Sequence, residues 1–307
     1  MALDFTIPNT TPFVNYFGMA TRLQSNTLGE VTTTLASDLD RCFVGAFYSE
    51  KVFFSATTDW WKNDLTRVTF KRYIAADTVV VKLYKDDVEM ATLNDNTLGT
   101  FTDGFTSGNT EQQLYVSMLL DWKLVGTTYG WGNYQIKAEL DVLGVTSEWE
   151  SVPYLLMQYT DLRANGTTRL EWQMNGHING SIFDYTGLDL YHSRRIKADL
   201  IEITPNLEVN KYKTSIDEWR QIQDKVVENY ELRTKALPIE VTSNLVKEII
   251  LANSISITDY QIYAEEIYRR LDVYPDSIEK TFMEKNINSI YNVKFIAKKE
   301  KYIKRNN

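Results

Sequence analysis

Two histidines, one cysteine and a scatter of carboxylates are the side chains through which this chain could do chemistry. A common zinc site takes four Cys or His ligands, or a His pair one helical turn apart, and Cys42, His177 and His192 supply neither arrangement. His177 follows the Asn175-Gly176 pair and His192 stands between Tyr191 and Ser193, so each is read as a surface or turn residue. Cys42 sits among Phe43, Val44, Ala46 and Phe47 and reads as a small buried hydrophobe; a single cysteine makes no internal disulfide. Triad members lie far apart in sequence, so counting does not remove a Ser-His-Asp arrangement, but no Gly-x-Ser-x-Gly elbow occurs.

Gly130-Trp131-Gly132 contains a Gly-x-Gly, yet no third glycine follows and the next segment alternates like a strand. A phosphate loop needs a helix N-terminus there, so the two glycines read as a tight turn into the strand from Tyr134. A glycosidase needs two facing carboxylates in a cleft lined with aromatics. Trp60, Trp61, Tyr129 and Trp131 could supply sugar platforms, and could equally be core or interface residues. The interface reading is the one adopted. No catalytic, cofactor or metal residue is expected.

The elements around these residues are mostly strands. Tyr134, Ile136, Ala138 and Leu140 alternate with Gln135, Lys137, Glu139 and Asp141; Thr168, Leu170, Trp172 and Met174 alternate with Arg169, Glu171 and Gln173; and Ile196, Ala198 and Leu200 alternate with Arg195, Lys197 and Asp199. Successive strand side chains face opposite ways, so the pattern predicts antiparallel sheet with one wet face, Glu171 and Arg169 included. Further strands are expected at Cys42–Phe54, Val68–Ile74, Thr78–Tyr84, Tyr115–Trp122, Tyr154–Tyr159, Ser254–Thr258 and Tyr291–Lys298. Residues 93–109 read as turns and an exposed loop. Asn165-Gly166, Asn175-Gly176 and Asn179-Gly180 read as hairpin turns, because Asn and Gly tolerate positive φ. Thr242–Ala252 is the best helix, while 216–232 and 259–271 suit helix or strand. The fold class expected is mainly β, antiparallel β-sandwich domains with a smaller α+β C-terminal region. The domains expected are 1–150 with an N-terminal arm, a meander at 151–212, and an α+β region with a basic tail at 213–307. Residues 1–35 read as loop, either an arm across a neighbouring subunit or a loosely packed terminus.

With 307 residues and 43% hydrophobic content, the chain can bury a substantial core, and disorder is not a whole-chain description. The net charge of −8 argues against a general nucleic-acid binder. Lys294, Lys298, Lys299, Lys301, Lys304 and Arg305 face only Glu300 after residue 293, so this tail is five positive and the rest thirteen negative. Such a tail is solvated, or touches phosphate or an acidic neighbour. The first residues lack a charged leader with an apolar run, and no segment approaches a membrane span, so folding in a cytoplasm without membrane insertion is expected.

The runs LDWKLVGTTYGWGNY and IKAEL, then RANGTTRLEWQMNGHI, SIFDYTGLDLYHSRRIKADL, YELRTKALP and SITDYQIY, resemble in layout the tail and neck proteins of crAss-like tailed bacteriophages of Bacteroidetes. The resemblance covers residues 115–300 and matches the N-terminal part less well. It implies a non-enzymatic virion protein assembled in the host cytoplasm. Such a protein is a ring or tail-hub subunit that forms a homo-oligomer, with a portal-matched dodecamer expected. Its further partners would be neighbouring tail and portal proteins, and genomic DNA passing without sequence-specific binding. Trp60, Trp61, Tyr129 and Trp131 are then candidate interface contacts, and Lys298, Lys299, Lys301, Lys304 and Arg305 candidate electrostatic ones. The alternative is a glycan- or receptor-binding module at the tail tip.

Overall fold

The computed structural model describes residues 13–15, 21–23, 50–71, 77–104, 112–142, 145–177, 184–213, 215, 219–235, 237–238, 249, 252–261, 268–282, 288–298 and 301–303. Its first half runs β1 (Phe13–Asn15), β2 (Thr21–Leu23), β3 (Glu50–Phe54), β4 (Leu65–Lys71), β5 (Thr78–Lys85), β6 (Val88–Thr92), β7 (Gly99–Asp103) and β8 (Tyr115–Asp121). Helix α1 (Trp122–Tyr129), β9 (Gly132–Val142), β10 (Val145–Ser151) and β11 (Tyr154–Gln158) complete it. After the short helix α2 (Asp161–Ala164) come β12 (Thr168–His177), β13 (Asp184–Ile196), β14 (Ala198–Lys213), β15 (Trp219–Thr234) and β16 (Leu237–Pro238). The chain closes with β17 (Ser254–Asp259), β18 (Arg269–Phe282), β19 (Asn288–Ala297) and β20 (Lys301–Ile303). The protein is mainly β, and its sheets are antiparallel except where β11 runs parallel to β3.

Two sheets make the N-terminal body. One is built on β9, which pairs with β5 along one edge and with β10 and then β11 along the other; the second is β4-β8-β7. Their inner faces meet in a core holding Val68, Phe70, Val81, Leu83, Met118, Leu120, Ile136 and Leu156. Tyr134, Ile136 and Ala138 lie inward as their alternation predicts. Strand β7 corrects the loop expected at 93–109, since Leu93 and Leu98 are buried and anchor it. Part of the segment 1–35 is strand rather than loop, β1 pairing with β10 and β2. Tyr16, Phe17 and Cys42 lie outside the described residues.

The C-terminal body is one curled sheet in the order β13-β12-β17-β18-β19-β15-β14. Its two edge strands are consecutive in sequence and joined by Lys197 alone. Seven strands laid flat would separate those edges by ~29 Å, whereas two peptide units reach at most ~7.6 Å. The sheet therefore rolls until one corner closes, and the Thr168 hydroxyl donates to the Ala198 carbonyl across that corner at 3.1 Å. The roll encloses Leu170, Trp172, Leu200, Leu232, Ile257, Val273, Val293 and Phe295, with Tyr115 entering from β8 of the other body.

The boundary expected at 150 precedes β11, which still pairs with β3 and β9. That expected at 212 falls inside the β14–β15 ribbon of a single sheet. Residues 216–232 resolve as strand from Trp219, and the described part of 213–307 is strand almost throughout. Apart from Ile249 and Ala252, the helix expected over Thr242–Ala252 lies outside the described residues; of 259–271, residues 262–267 do too, while Asp259 ends β17 and 269–271 open β18 as strand.

Candidate functional site

The wet face expected on β12 and β13 is instead the joint between the two bodies. Arg169 and Arg195 stand directly opposite each other across these strands, a like-charge pairing that is unfavourable by itself. Asp64, from the loop after β3, resolves it. The Arg195 guanidinium grips Asp64 through two hydrogen bonds, Nε to Oδ2 at 2.8 Å and Nη2 to Oδ1 at 2.9 Å, and Arg169 Nη1 lies 3.7 Å from the same carboxylate. All three residues are buried. Arg195 also lies over the rings of Tyr260, at 4.0 Å, and Phe53, at 4.8 Å. Beside this cluster Arg194 pairs with Glu50 of β3, and Glu171 accepts from the Tyr191 hydroxyl. Burial pushes the Glu50 carboxyl up, with Arg194 pulling against it.

Trp60 and Trp61 belong to this joint. A short turn over Trp60–Lys62 is closed by the Lys62–Asp59 ion pair at 2.6 Å and by Asn63, whose amide donates to the Asp59 carbonyl and accepts from the Ser55 N–H. Arg169 Nη1 donates to the carbonyls of Asn63 and Trp60, at 2.8 and 3.2 Å, and the Tyr260 hydroxyl donates to that of Trp61 at 2.6 Å. The Trp61 ring stacks on Tyr268 with centroids 4.6 Å apart and meets Tyr159 edge-on. Trp60 is partly exposed and has the guanidiniums of Arg169 and Arg270 over its ring at 5.0 and 4.5 Å. Within the chain, this pair packs in the joint between the two bodies. Arg169 and Arg270 lie against Trp60, and Tyr268 against Trp61.

Tyr129 and Trp131 stand elsewhere, at the end of α1. Asp121 caps this helix by accepting from the Lys123 N–H, and Gly126 allows the Phe54 ring to lie where a Cβ would stand. Gly130 ends the helix at φ 79°, its N–H donating to the Gly126 carbonyl, so the expected glycine turn into β9 is present. The Tyr129 hydroxyl donates to the Met90 carbonyl and Lys85 Nζ to the Tyr129 carbonyl, tying the helix end to the β5–β6 hairpin. Trp131 is 72% exposed. A pocket of about 280 Å³ is lined by Tyr84, Asp86, Asp87, Asn133, Tyr134, Gln135 and Pro153, and Trp131 is not among its lining residues.

His192 is not a surface or turn residue. It is buried at mid-strand, its ring stacked on Trp172 at 5.3 Å and 6°, and burial followed by the nearby Arg67 charge holds its pKa well below the ordinary value. His177 closes β12. Asn165-Gly166 is a turn, with Gly166 at φ 73°, but it joins α2 to β12 rather than two strands. Asn175-Gly176 lies within β12 at a register shift, and Asn179-Gly180 is outside the described residues. In the basic tail, Lys298 Nζ lies over the Tyr274 ring at 4.7 Å and Lys301 opens β20; Lys299, Lys304 and Arg305 are outside the described residues.

Sequence reasoning missed Glu50, Asp64, Arg194 and Tyr260. One signal was present. Adjacent strand residues face opposite ways, so Arg194 and Arg195 put a charge on both faces of β13, which a sheet with one wet face does not accommodate. Among the described residues no group of three or more His, Cys, Asp or Glu could hold a metal, and no helix is long and apolar enough to cross a membrane. Comparison with protein-family models and with curated proteins finds no match for this chain.

Proposed function

We propose that this chain is a non-enzymatic structural protein of a bacteriophage virion, a ring or hub subunit of the tail or neck. In this reading it self-assembles into a homo-oligomer, a portal-matched dodecamer, around a conduit for DNA, and docks on adjacent virion rings. The observation that carries the reading is the β14–β15 ribbon. From Asn210↔Gln223 to Lys213↔Trp219 its rungs have no third strand among the described residues, because β19 and β20 pair with β15 only nearer its base. A two-stranded ribbon is marginally stable alone, so a protruding one suits a neighbour that completes it. The buried joint supports the same reading, since it ties the two bodies together and a ring subunit needs a fixed shape. The net negative charge fits a conduit that does not retain DNA.

The test is the assembly state of the purified chain, alone and co-expressed with a portal protein, by sedimentation and negative-stain imaging. A closed ring, lost when 210–223 is replaced by an Asn-Gly turn, is the expected result. A monomer in both settings at high concentration sinks the proposal.

A further inference from the structure

We infer that successive copies of this chain join end to end, the β14–β15 ribbon of one copy pairing with the β12–β13 ribbon of the next. The inference rests on the assembly reading and names the surface that completes the ribbon. The last rung between β12 and β17 is Gln173↔Ser254. Beyond it the rungs Met174↔Leu190, Gly176↔Tyr185 and His177↔Asp184 have no third strand among the described residues. The β14–β15 rungs from Asn210↔Gln223 to Lys213↔Trp219 lack one in the same way. Each ribbon is marginally stable alone and offers an open edge to another strand. In the first ribbon residues 186–189 of β13 stand against Asn175 alone, so its unbulged edge is that of β12.

The two ribbons of one chain cannot meet each other. Six antiparallel pairings lead from β13 through the sheet to β14, so these two strands run in the same sense. The first ribbon holds the start of β13 and the second the end of β14, with residues 191–209 between them, so they project from opposite ends of the sheet. Contact between unlike ends is heterologous, and it closes into a ring when its rotation allows. Charge favours unlike ends over like ones. The unsupported strand residues of the β14–β15 ribbon include Lys211, Lys213 and Arg220 and no acid; Asp217 and Glu218 lie in the connection, which leaves 210–223 one positive overall. Residues 174–190 contain Asp184 and Asp189 and neither Lys nor Arg, and are two negative. Two ribbons of the same kind repel, whereas unlike ribbons attract and are held by main-chain hydrogen bonds once an edge is shared.

The test follows association of the full chain by sedimentation velocity. One variant combines Lys211→Glu, Lys213→Glu and Arg220→Glu, which makes both ends acidic; the other combines Asp184→Lys and Asp189→Lys, which makes both ends basic. Each alone should associate about tenfold more weakly than the parent, or worse, with a circular-dichroism melting curve close to the parent's. An equimolar mixture of the two should recover the parent's assembly, because every contact again joins unlike charges. Parent-like assembly of either variant alone, or no recovery in the mixture, overturns the inference and leaves the assembly reading standing. A parent chain that stays monomeric, alone and with a portal protein, overturns both.

Discussion

Two aromatic pairs, Trp60–Trp61 and Tyr129–Trp131, look alike in sequence and end in opposite settings. The first lies where one body meets another, its backbone carbonyls taken by Arg169 and Tyr260 and its rings held by Tyr268, Tyr159 and two guanidiniums. The second ends a helix whose own body packs only Tyr129; Trp131 is left in water. An aromatic residue becomes structural when a second sheet arrives to cover it.

Breaking the joint should cost far more than truncating Trp131. Asp64→Ala leaves Arg195 buried without its carboxylate and the Phe53 N–H without its acceptor, and should lower stability by about 3–5 kcal/mol in urea unfolding. Pairing Asp64→Leu with Arg195→Met should recover part of that loss, because Arg195 no longer leaves a lone buried charge and Arg169 keeps Glu171 at 3.6 Å, while the Phe53 N–H stays without its acceptor. Trp61→Ala removes a half-buried ring from Tyr268 and Tyr159 and should cost about 2 kcal/mol by the same measurement.

The joint's neighbourhood should also respond to pH. Folded His192 resists protonation while the unfolded chain accepts a proton below pH ~6.5, so stability should fall on acidification through that value by up to about 1.4 kcal/mol per pH unit. Glu50 has the opposite sign: its raised pKa lets the folded state hold a proton that the unfolded chain has lost, so its contribution grows as pH falls. The difference between the parent and His192→Phe isolates the histidine, and a His192→Phe profile parallel to the parent's would refute the assignment. Trp131→Ala is the smallest expected effect, within about 0.5 kcal/mol of the parent by thermal unfolding.

Period-two alternation was enough to place most of the described strands and the inward residues of β9, because side chains on a pleated strand must alternate whatever surrounds them. Glycine at 130 foretold the turn into β9 for a similarly local reason, since a positive φ suits a residue without Cβ. Alternation marks which residues share a face but carries no information about what covers it. Arg169, Glu171 and Arg195 have the polarity of a solvated face, and only the docking of the β3–β4 loop turned them into a buried ion cluster around Asp64. The partnership of Asp64 with Arg195, 131 residues apart, depends on two sheets meeting. The stacking of His192 on Trp172 depends on the register of β12 against β13, of which the neighbours of His192 in sequence gave no hint. Local backbone geometry is written in adjacent residues, whereas burial and charge pairing at the joint are set by the tertiary packing of elements distant in the chain.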